Sequence, residues 1–526
     1  GTGSVSGAQY NVAVGYVALE DITSGDGNTT IGSDSLKSLT TGASNVAVGK
    51  GAAASLGAGE SQNIAIGAES MVSADEGSGS GNEIDDNIAI GYQSLTMADF
   101  GSTGSRVAKR NIAIGGQALK STSTNSQTGT IAIGYEALTA LTTGANNTAV
   151  GYESISSLTE GYNNTAIGNQ AGKSISSTTS TDNTIVGDRA GTGGSGVMTN
   201  CTAIGSGALN GTGIRNSQLN TAIGMNSMGG SFGGTDNTAV GGNTMTGALN
   251  AANDNVAVGY ASLQALTTGV NNVAVGSQAA DQITTQSYNV YVGVNSGRYI
   301  NGGGSNVAVG YGTMASSGTA ANNTALECVA IGNSVMAAIT TGGYNVGVGS
   351  NALNDITTGV KNIAIGVETL DALTTGGQNI AIGAHAMGTA DGAEQRNIAI
   401  GDGALFDLDD GGSAGASDFN VAVGHEAGTN ATTAKSCVFI GHNAGHGNDS
   451  TALTGDYNVA VGAESLESLT TGAYNVSLGY QAGEAQIGSS SNTFVGGRAG
   501  TDITTGESNV AIGRDSLYTA TTSGDN

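Results

Sequence analysis

The stretch Asn-Val-Ala-Val-Gly at residues 11–15 decides the fold, because it never stops recurring. Twenty-eight copies of the pattern Asn-[Val/Ile/Thr]-Ala-[Val/Ile]-Gly run from Asn11 to Asn509. The closing Gly is present in all 28, and the first position is Asn in 24 of them. Most neighbouring copies stand 17 residues apart. A short fixed period implies a solenoid, in which one coil repeats and stacks on its neighbours. The expectation is an all-β parallel β-solenoid of about 28 coils, and function is then read from a long repetitive body rather than from one pocket.

The coil from Asn147 to Asn163 shows the logic. Alternation along a strand places Thr148 and Val150 on one face, and Asn147, Ala149 and Gly151 on the other. β-Branched residues favour the extended backbone. A second short segment, Ser154-Ile155, reads as another strand, Leu158 adds a further apolar point, and Gly161 closes the coil. The coil then consists of two short strands and two turns, with no room for a helix. The third position is Ala in 21 of the 28 copies. A face kept this small suggests close approach by another backbone, and so lateral association of whole rods through the Ala face. The Asn position reads as a ladder of stacked amides, sampled at Asn11, Asn45, Asn147, Asn255, Asn362, Asn475 and Asn509. Its alternative is an Asn that merely tolerates a left-handed turn.

The three cysteines, Cys201, Cys328 and Cys437, each occupy the Asn position of a coil. At roughly 4.8 Å per coil they lie beyond disulfide reach of one another within one chain. They read as small buried replacements for Asn. Twenty-seven such rises correspond to a rod of about 130 Å.

The formal charge is −26, from 41 acids against 15 bases. This balance disfavours nucleic acid and anionic membrane surfaces, which need clustered Lys and Arg. No run approaches the roughly 20 apolar residues of a membrane span. Pro is absent, which fits a chain whose amide N–H groups are needed in ladders. Residues 1–526 read as a single repetitive segment, open at both ends and part of a longer chain. The spacing stretches in a few places, and the added residues should emerge as contact loops on one side. Candidates are Asp75, Glu76, Asp85 and Asp86, then Arg106, Lys109 and Arg110, and a third group of Asp407, Asp409 and Asp410.

The pattern Asn-x-Ala-[Val/Ile]-Gly-x-x-[Ala/Ser]-x resembles the head repeats of trimeric autotransporter adhesins, the YadA-like head. The longer coil, with its Leu-Thr-Thr-Gly closure at 39–42 or 469–472, is similar to repeats in fibre proteins of phages and large DNA viruses. The resemblance covers residues 11–526. It implies a left-handed β-roll, a homotrimer with two further copies of the chain, and a fibre or adhesin on a cell or virion surface that meets an unknown receptor or glycan.

Little in the sequence points to catalysis, and no cofactor or metal is expected. His442 and His446 stand four apart, but on strand and turn rather than helix. Asp407, Asp409 and Asp410 read as a solvated turn or a weak Ca²⁺ site with oxygen ligands. A polysaccharide-processing tailspike is the first alternative, since such enzymes pair carboxylates on β-solenoids. An ice-binding solenoid is the second, suggested by the recurring Thr pairs, although adjacent Thr side chains in an extended strand point to opposite faces.

Overall fold

A computed structural model of the chain describes residues 7–72, 83–96, 107–120, 127–175, 180–192, 196–211, 217–230, 233–316, 323–409, 417–448, 451–519 and 521. The chain divides into two compact units, Gly1–Ala261 with Ala265–Thr268, and Ser262–Gln264 with Gly269–Asn526. Each is a parallel β-solenoid, and no helix occurs among the described residues.

Every repeat tract is a three-residue strand, from Val12–Val14 to Val256–Val258 in the first unit and from Val273–Val275 to Val510–Ile512 in the second. Neighbours pair in parallel without slippage: Val46, Ala47 and Val48 lie opposite Ile64, Ala65 and Ile66. Where 24 residues separate Asn63 from Asn87, Ile64 still faces Ile88. Long connections therefore leave the register intact, because one slipped residue would reverse the two faces of the strand.

The coil from Asn362 to Gln378 explains the cross-section. Asn362, Ala364, Thr369, Leu370 and Leu373 are fully buried inside it. The Ala face is therefore the interior of the coil, and Ile363 and Ile365 point outward. This overturns the expectation that the Ala face carries lateral association. Ala is small because the inside of a thin coil has room for little more.

The expected second strand is also absent after the Gly. That segment is a turn in which left-handed residues alternate, Glu368 at φ 50° and Leu370 at φ 50°. A left-handed L-residue costs roughly 1–2 kcal/mol. Burying Leu370 returns about 1.5–3 kcal/mol, and its N–H donates to the Ala386 carbonyl of the next coil at 3.2 Å. Burial and pairing together outweigh the strain. Additional strands do occur, but just before the Asn position. They form two short ladders, one from Glu83–Asp85 to Gly144–Ala145 and one from Gly161–Tyr162 to Ser217–Gln218. Gly366 ends its strand at φ 144°, and a Cβ there would lie 2.4 Å from the Gly383 carbonyl oxygen, so no larger residue fits.

The Asn ladder runs through both units. Asn379 donates its backbone N–H to Asn362 Oδ1 at 3.0 Å and its side-chain amide to the same oxygen at 3.1 Å. Asn362 in turn donates to the Gly376 carbonyl at 2.9 Å. The same bonds tie Asn11 to Asn28, Asn28 to Asn45, Asn147 to Asn164, Asn237 to Asn255, Asn458 to Asn475 and Asn492 to Asn509. Each amide satisfies buried backbone groups of its neighbours, which would otherwise be costly.

At Cys437 the ladder continues in weaker form. The Cys437 N–H donates to Asn420 Oδ1 at 2.9 Å, and the sulfur accepts from the Asn458 N–H at 3.4 Å. Cys201 and Cys328 keep the equivalent N–H bonds to Asn183 and Asn306. All three thiols are buried and free, as their spacing implies. Burial raises the pKa of each, and that of Cys437 is pushed up to about 11.

Candidate interaction surface

The second and fourth positions of each repeat tract, almost all of them β-branched, point to the outside. Ile66 remains 38% exposed in the first unit and Ile365 39% in the second. The fourth position is Val, Ile or Leu in every coil, so each unit carries an apolar row, while the second position is Thr in eight of the 28 coils. Tyrosines border it on both sides. Tyr135 and Tyr152, just after the Gly, stack with ring centroids 5.7 Å apart. Tyr457 and Tyr474, just before the Asn, stack at 5.0 Å. Monomeric soluble proteins rarely expose contiguous apolar patches beyond a few hundred Å². A repeating stripe of Val, Ile and Tyr is the surface of this chain with most to gain from being covered.

The expected contact loops fare differently. Asp75, Glu76, Arg106 and Asp410 lie outside the described residues. Asp85 and Lys109 do not stand at loop tips. They belong to the short strands Glu83–Asp85 and Val107–Lys109, which pair in parallel. Lys109 Nζ bridges Glu83 and Asp85, with the Asp85 contact at 3.4 Å, and these hydrogen bonds raise the lysine pKa. Asp85 also accepts from the Ser61 N–H at 2.9 Å. Asp86 and Arg110 are left-handed corner residues, at φ 59° and 58°, that lead into Asn87 and Asn111. This group is therefore part of the solenoid wall.

The third group is rearranged. Asp407 stands apart, with its pKa raised by burial against the opposing charge of His446. Asp409 instead meets Asp391 and Glu394, with one ligand oxygen from each lying within 4.8 Å of the others. Glu394 is fully buried, and its Oε2 accepts the Gly392 N–H at 3.1 Å. Three carboxylates supply only oxygen, a donor set for a hard cation such as Ca²⁺. Asp391 and Asp409 each stand twelve residues after their coil's Asn, at 379 and 397, so slot-by-slot alignment would have paired them.

His442 does not converge with His446. It stacks on His425 at 5.4 Å, and His446 Nδ1–H donates to the Gly447 carbonyl at 2.9 Å. The first Thr hydroxyls of several pairs are also committed. Those of Thr142, Thr340, Thr357 and Thr470 donate to carbonyls of the following coil at 2.8–3.0 Å. They serve as turn ties and are not free to order water as donors. No known family model and no curated protein matches this chain.

Proposed function

We propose that this chain is a structural fibre or adhesin, in which solenoids associate side by side as a homotrimer and present contact sites at a cell or virion surface. The supporting observation is the Val/Ile stripe with its tyrosine borders, an apolar face that a lone chain would leave in water. The number three and the left-handed sense of the coil come from the resemblance to YadA-like head repeats. In this reading the chain has no catalytic role. Its action is mechanical and multivalent, with repeated weak contacts to a receptor or glycan combining through effective concentration.

Sedimentation equilibrium of the native particle tests the proposal. A mass of three chains is expected, falling to one chain when Ile365→Lys and Ile382→Lys are introduced together. A wild-type mass of one chain would overturn it.

A further inference from the structure

An open groove of about 280 Å³ lies within the second unit, lined by His385, Asp402, Gly403, Phe406, Glu426 and Thr429. Its origin is a missing side chain. Gly403 occupies the left-handed position two residues after the strand Gly, where the preceding coil carries His385 and the following coil Glu426. Omitting the side chain from the middle coil opens a gap between an imidazole and a carboxylate.

The walls are held in place. Gly403 N–H donates to the Ala384 carbonyl at 3.0 Å, and Glu426 N–H donates to the Asp402 carbonyl at 2.9 Å. The Thr429 hydroxyl donates to the Gly403 carbonyl at 3.1 Å. Phe406 leans over Gly388, where a Cβ would come within 2.8 Å of its ring, and meets His385 edge-to-face at 6.2 Å. His385 Nδ1 faces Glu368 Oε2 at 3.4 Å on its far side.

The lining chemistry selects the ligand. Asp402, Glu426 and Phe406 line the space beside His385, no Lys or Arg does, and Glu426 Oε2 also meets His425 Nδ1 at 3.7 Å. An anion would meet like charge. A compact cation with an alkyl body gains Coulomb attraction from Asp402 and Glu426 and cation–π attraction from Phe406. Its apolar part covers the ring. We propose that the groove over Gly403 is a binding site for a small organic ammonium ion.

Ligand-observed saturation-transfer NMR on the full chain tests this with choline and its uncharged isostere 3,3-dimethylbutan-1-ol. Choline should bind saturably, and the isostere at least tenfold more weakly. Gly403→Gln fills the gap with a residue that this position already carries at Gln93, Gln117 and Gln170, at φ 52–59°. It should weaken choline binding at least tenfold while the far-UV circular dichroism of the folded chain stays unchanged. The isosteric pair Asp402→Asn and Glu426→Gln should do the same. Equal binding of the isostere, binding that survives Gly403→Gln, or no choline binding would each overturn the proposal. So would a Ni²⁺ titration that is lost with His385→Asn while choline stays silent, since the groove would then be a metal site. The native mass is a separate readout, so failure here leaves the assembly proposal intact.

Discussion

The coil that starts at Asn362 and the coil that starts at Cys437 share one outline and have different fillings. In the first, Ala364 faces Leu370 across the interior, and both are fully buried. In the second, Phe439 takes the Ala position and Gly445 takes the Leu position. A Cβ on Gly445 would lie 2.2 Å from the Phe439 ring, and one on Gly428 of the preceding coil 2.6 Å. Phe494 repeats the exchange with Gly483 and Gly500, and Ile185 repeats it with Gly172 and Gly191. The cross-section therefore fixes the interior volume and leaves open which side of the coil supplies it. Cores tolerate such swaps when total volume is kept. The ladder tolerates less, since only Thr130 and three Cys residues replace its Asn.

The comparison breaks first at the large side chain. Phe439→Ala should cost about 3–5 kcal/mol, because the adjacent glycines cannot refill the void. Hydrogen exchange of the ladder amides beside it is the suitable measurement, since repeat arrays need not unfold as one unit. Adding Gly445→Leu to that variant should recover at least half of the loss. Gly445→Leu alone should cost about 1–3 kcal/mol by overpacking. A double variant less protected than Phe439→Ala would contradict the conserved-volume account.

The ladder gives an effect of comparable size. Asn362→Ala removes the oxygen that serves two donors of Asn379 and the donor that serves Gly376. A penalty of about 1–3 kcal/mol per orphaned buried group follows. Asn362→Cys should cost less, as Cys437 keeps part of the same bonding. Equal losses by exchange protection would mean that the thiol contributes nothing to the ladder.

A further effect is a pH dependence specific to the Cys coils. The Cys437 thiol is held neutral by burial, with its folded pKa near 11 and an unfolded value of about 8.5. Its stabilising contribution is whole below the unfolded value and is lost as pH rises through the folded one. Protection around Cys437 should therefore fall between about pH 8.5 and 11, and Cys437→Asn should remove that part of the fall. An identical pH profile in Cys437→Asn would contradict the assignment.

Much of the fold was legible in the sequence. The Gly and Asn positions repeat because backbone contact and ladder bonding accept almost nothing else, so they mark strand, corner and coil. The faces were misread because Ala149 is compatible with two situations, a neighbouring backbone outside or a crowded interior. Strand alternation separates the faces without saying which is inside. The left-handed run was hidden as well, since Leu370 and Met387 adopt φ values normally left to Gly or Asn. Tertiary burial and coil-to-coil bonds override that local preference. The candidate surface was partly legible. Alternation separated Thr148 and Val150 from Ala149, but the Ala face was taken as the outer one, and the acidic trio emerges only when equivalent positions of successive coils are aligned.

The most direct test of the assembly account is the labelling rate of a cysteine placed at Ile365 in the native particle. The three natural thiols are buried and form an unreactive background. The account predicts slow labelling in the native assembly and fast labelling once Ile382→Lys and Ile400→Lys together have dissociated it. Labelling of Ile365→Cys in the native particle as fast as that of an exposed thiol would show the stripe open to water, and would contradict the account.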